Sequence, residues 1–153
     1  MDSKSKDKII RALVAANPSA LTEQGGGMQR TPIHNIFNDT ASLELTKYML
    51  DQGGSTALGI PDKNGYLPAH IACSRNCSRE KIEMLLAAYP ASLTAETNDG
   101  DTLLSLARST ATALRPNHSL IAAIKEALQG VRYTANEAQE TESNSFQCNV
   151  FLV

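Results

Sequence analysis

The phrase Thr31-Pro32-Ile33-His34 returns as Leu67-Pro68-Ala69-His70-Ile71-Ala72, which puts His34 and His70 36 residues apart. A third version, Thr102-Leu103-Leu104-Ser105-Leu106-Ala107, sets Ser105 a further 35 residues along. A chain that repeats itself at a period in the thirties builds units too small to bury their own apolar faces. It stacks them, each covering its neighbour. That constraint favours a binding scaffold over a catalyst.

The middle copy shows the grammar of one unit. Asp62-Lys63-Asn64-Gly65 is turn chemistry, because Asn and Gly tolerate positive φ. Pro68 then stands at a first helical position, where its missing N–H costs nothing, and a short first helix is expected from about Pro68 to Ser74. After the polar break Arg75-Asn76-Cys77, Ser78 is a candidate N-cap. Ile82, Leu85, Leu86 and Tyr89 fall at i, i+3, i+4 and i+7, one face of a second helix that Pro90 stops.

The flanking units follow the same order. Thr31-Pro32 opens a helix through Phe37, and Leu43–Leu50 is expected to carry the next helix to Gly53-Gly54. Downstream, Thr102–Arg108 and roughly Ser119–Gln129 are the two helices, separated by the longer Ser109–His118 stretch. Upstream, Ile9–Ala16 reads as a second helix with no first helix before it: Ile10, Leu13, Val14 and Asn17 align with Ile82, Leu85, Leu86 and Tyr89. The tails align as well, Asn17-Pro18-Ser19-Ala20-Leu21-Thr22 against Tyr89-Pro90-Ala91-Ser92-Leu93-Thr94, at an offset of 72 residues.

This turn, helix, loop, helix unit resembles the ankyrin repeat. The family phrase Thr-Pro-Leu-His-x-Ala appears at Thr31–Ile36 and Leu67–Ala72, and its leading Asp-x-x-Gly-x at Asp62–Tyr66. The resemblance covers about residues 6 to 130, with a period longer than the usual 33. It implies an all-α fold, a short α-solenoid of stacked helix-turn-helix repeats with turn or hairpin tips. The expected division is a partial repeat over 6–22, repeats over about 23–58, 59–94 and 95–130, and a disordered tail over 131–153.

The resemblance further implies that His34 and His70 tie helix starts to the turn backbone, as structural residues. It also implies a non-enzymatic module that binds a protein or peptide through a concave face of turn tips and first helices. Carried over position by position, the partner-binding residues are Arg30, Asn38 and Asp39; Lys63, Asn64, Tyr66, Ser74 and Arg75; and Asn98, Asp99, Asp101 and Ser109. Tyr66 and Arg75 are the expected anchors, since aromatic residues and Arg dominate binding hot spots.

Composition narrows the alternatives. With 14 basic and 16 acidic residues, the chain lacks the electrostatic footprint of a nucleic-acid binder. Its apolar runs fall short of the roughly 18 residues that span a bilayer. Cys73, Cys77 and Cys148 form no disulfide framework, and no charged-then-apolar leader opens the chain. The expectation is a monomeric intracellular, cytoplasmic protein, with the nucleus left open, needing no cofactor and no metal.

His70, Cys73 and Cys77 would share a face of one continuous helix, but a fourth zinc ligand is missing and the helix is expected to break before Cys77. Gly25-Gly26-Gly27 lacks the Lys-Ser/Thr of a phosphate cradle and reads as a turn. Two alternatives stay open. The chain could be part of a larger solenoid with a scaffold role, and the apolar Phe146–Val153 end could be a peptide ligand, a cap on the stack or idle.

Overall fold

Asn17 and Tyr89 hold nearly the same backbone conformation, φ −146°, ψ 85° and φ −145°, ψ 79°, and each leads into a proline-started 3-10 turn, Pro18–Thr22 and Pro90–Leu93. The sequence match at an offset of 72 residues is thus a structural repeat, and Leu21 and Leu93 are buried at matching places in it. The structure is a computed structural model and describes residues 3–37, 41–110 and 118–131. The helices are α1 (Ser3–Ala16), α2 (Pro32–Ile36), α3 (Leu43–Leu58), α4 (Pro68–Ser74), α5 (Arg79–Ala88), α6 (Leu103–Thr110) and α7 (118–131).

They form two rows. The short first helices pack in series, α2 on α4 and α4 on α6. The longer second helices form the other row, α1 on α3 and α3 on α5, and α5 is joined to α7 by the Arg79–Glu126 ion pair. One continuous core runs between the rows, from Val14 and Leu21 through Phe37, Met49, Ile82 and Leu85 to Leu103 and Ile124. This is the all-α repeat array expected from the sequence.

Two helix boundaries differ from the sequence expectation by more than about two residues. α1 begins at Ser3 rather than near Ile9. Its first turns are polar, with Lys4, Lys6 and Lys8 exposed, so the onset of apolar residues misses them. α3 does not stop at Gly53-Gly54 but runs on to Leu58, burying Ala57 and Leu58. Gly53 is there for close approach: a Cβ on it would stand 2.6 Å from the Ile33 Cδ1 of α2. Packing against α2 offsets the roughly 1 kcal/mol that an interior glycine costs a helix.

Candidate interaction surface

The turns that open successive units lie side by side and are bonded to one another through the backbone. Lys63 N–H donates to the Met28 carbonyl at 2.9 Å, and Asn98 N–H donates to the Asn64 carbonyl at 3.0 Å. Asn98 Nδ2 adds a bond to the Lys63 carbonyl. The first tip is a small hairpin closed by the Gly25 and Arg30 backbone bonds, with Gly26 at φ 70°. In the second, Gly65 sits at φ 80°, and a Cβ there would lie 2.7 Å from the Asn98 backbone nitrogen. Only glycine lets two neighbouring tips come this close.

Asp62 is the node of the central tip. Its carboxylate is fully buried and accepts from Arg30 Nε at 2.9 Å, from Asn64 N–H at 2.9 Å and from Tyr66 N–H at 3.0 Å. One side chain thus folds its own turn and holds the preceding one. The sequence marked Asp62 as a turn residue; nothing in it signalled the reach back to Arg30.

The two histidines tie units together beneath the tips. Thr31 N–H donates to His34 Nδ1 and Leu67 N–H donates to His70 Nδ1, so in each ring Nδ1 is the acceptor and Nε2 carries the proton. Nε2 then donates forward to the next unit, His34 to the Tyr66 carbonyl at 2.9 Å and His70 to the Ala95 carbonyl at 3.2 Å. Burial lowers the pKa of both imidazoles and outweighs the carbonyl bonds that would raise it. Ser105 keeps only the local half of this device: its Oγ accepts from Thr102 N–H and donates to Asp101.

The sequence-derived contact residues therefore divide. Lys63, Asn64, Asn98 and Asp99 are exposed on the tip row. Arg30 and Asp101 also lie there, but Arg30 is paired with Asp62 and Asp101 accepts from Ser105. Tyr66 is half-buried, its ring edge-on to His70 with centroids 6.1 Å apart. Ser74, Arg75 and Ser109 sit at the opposite ends of α4 and α6, a helix length from the tips. The Ser74 and Ser109 hydroxyls bond to carbonyls of their own helices, leaving Arg75 and Arg108 as exposed charges there. Asn38 and Asp39 lie outside the described residues, as do Asn136–Ser145 and the apolar end beyond them.

The first helix contributes less surface than the sequence implied, because Pro68 through Cys73 of α4 are all buried. His70, Cys73 and Cys77 are each engaged inside the stack. Both His70 ring nitrogens are taken by backbone, both thiols are buried, and burial pushes the Cys73 thiol up to about 12. Among the described residues no helix is long and apolar enough to cross a membrane.

No curated protein matches the chain. Residues 49–107, from the last part of α3 through the central unit to α6, match the family model described as ankyrin repeats (many copies). The paired helix rows, the bonded tips and this match agree, and residues 49–107 carry ankyrin repeats.

Proposed function

We propose that the row of turn tips is a recognition face for a folded protein or an extended peptide. Ankyrin repeats are in general protein-interaction modules rather than enzymes. The observation that carries the proposal for this chain is the backbone bonding between tips. It fixes Lys63, Asn64, Asn98 and Asp99 on one rigid ribbon while their side chains remain exposed. Such pre-organisation lowers the entropy lost on binding. Charges of both signs, Lys63 beside Asp99, favour a polar partner surface of complementary pattern. Units over 23–58, 59–94 and 95–130, acting as a monomer inside the cell, complete the proposal. The burial of Pro68 through Cys73 in α4 shifts the weight of recognition from the first helices to the tips.

A Lys63→Glu, Asp99→Lys double reversal tests this, because both side chains are exposed and the fold does not depend on them. Quantitative capture from an extract of the native cells should lose its bound protein at least tenfold at unchanged melting temperature. Equal recovery would reject the tip row.

A second possibility, part of a larger solenoid with a scaffold role, draws on the apolar residues that α1 exposes at the leading end, Ile9 and Leu13.

A further inference from the structure

In the central unit α4 and α5 pack against each other, but α1 has no first helix beside it among the described residues. The space where that helix would lie is an apolar groove of about 310 Å³, walled by Ile10, Leu13 and Val14 of α1 together with Leu21, Pro32 and Met49. It opens toward the first tip, where Arg30, Gly25 and Gly26 line a continuation. The largest exposures of apolar side chains in the described chain are at this end, Leu13 at 66% and Ile9 at 46%.

We propose that the apolar end of this same chain, residues 146–153, docks into this groove and completes the leading unit. Three observations select that occupant. Residues 146–153 contain Phe146, Val150, Phe151, Leu152 and Val153, an apolar run of the kind the groove lacks a cover for. The segment 132–153 that follows α7 can reach: extended at about 3.3 Å per residue it spans roughly 70 Å. Crossing from α7 past α5 and α3 to α1 takes about three helix spacings of 8–10 Å.

Charge then favours the leading groove over the one between α5 and α7. The spacer carries Glu137, Glu140 and Glu142, and α1 presents exposed Lys4, Lys6 and Lys8. Another apolar groove, between α5 and α7 at Leu86, Ala123 and Ala127, is bordered by Glu83 and Glu126, which share the single Arg79 and so stay net acidic toward that spacer. Because the tail is tethered, a weak apolar contact is filled at the high effective concentration of an intramolecular ligand.

Cys148 makes the test direct. Cys73 and Cys77 are buried, so a maleimide nitroxide placed on the full native chain labels Cys148. The amide signals of Ile10, Leu13, Val14 and Met49 should lose at least half their intensity against the reduced label, at every protein concentration. Phe151→Ser, and Leu13→Asp on an exposed position, should each restore those signals while leaving the α4 and α5 spectra unchanged. Broadening centred on Leu86 and Ala127, or no localised broadening, overturns the proposal. So does broadening that appears only when labelled copies are mixed with isotope-labelled ones, which would make a second copy the occupant.

Discussion

Leu13 and Leu85 hold the same position in their units, 72 residues apart, yet Leu13 is 66% exposed and Leu85 is 1% exposed. Their helices carry the same apolar spacing, and both lead into the same 3-10 turn. What differs is the company: α5 has α4 beside it and α3 and α7 on either side in its row, whereas among the described residues α1 packs chiefly on α3 and the adjoining turn. Burial in a stacked protein is conferred by neighbouring units. Identical sequence logic gives a core residue in one place and a surface residue in the other.

The largest effect that follows is at the buried member of the pair. Leu85→Ala should cost about 2–5 kcal/mol in denaturant unfolding, since it opens a cavity between fully packed helices. A loss as small as that of a surface substitution would mean that the two units are not different after all. Removing the Asp62 carboxylate comes next. Asp62→Ala strips Arg30 and two turn N–H groups of their acceptor and should cost about 2 kcal/mol, measurable in the same unfolding experiment.

The histidine ties give a pH signature of the inner units. In the unfolded chain both imidazoles titrate near 6.5, while in the fold burial holds their pKa values lower. Below pH 6.5 the unfolded chain thus binds more protons, and stability falls until the folded imidazoles take protons too. The slope is at most about 1.4 kcal/mol per pH unit for each His. A His34→Gln, His70→Gln double variant should be less stable at neutral pH and should lose this acid sensitivity; an unchanged slope from pH 7 to 5.5 would show that the ties do not titrate.

Leu13→Ala completes the series, with an expected change within about 0.5 kcal/mol. A loss approaching that of Leu85→Ala would show that the leading groove is closed by more than a tethered tail.

Much of this was legible because repeats report on one another. The helix start at Pro68, the stop of α5 before Pro90 and the core face of α5 follow from spacing, capping and proline alone, while the matching tails after Asn17 and Tyr89 marked a repeated element whose 3-10 form the structure supplies. The continuation of α3 through Gly53 was not, because it depends on how closely Ile33 approaches from another helix. The candidate surface was half legible. Turn chemistry places Lys63, Asn64, Asn98 and Asp99 on exposed tips, but whether Arg30 faces a partner or Asp62 is settled by a contact 32 residues away in sequence. Likewise, the Tyr66 ring is drawn against His70, a contact that no local pattern announces.

Residue-resolved native amide exchange on the whole chain tests the difference between the units most directly. Amides of α4 and α5 should exchange only with global unfolding. Those of α1 should exchange through openings of clearly lower free energy, lower still when residues 146–153 are removed. Uniform protection from α1 through α5, unaffected by that removal, would contradict the claim that neighbours decide what each unit buries.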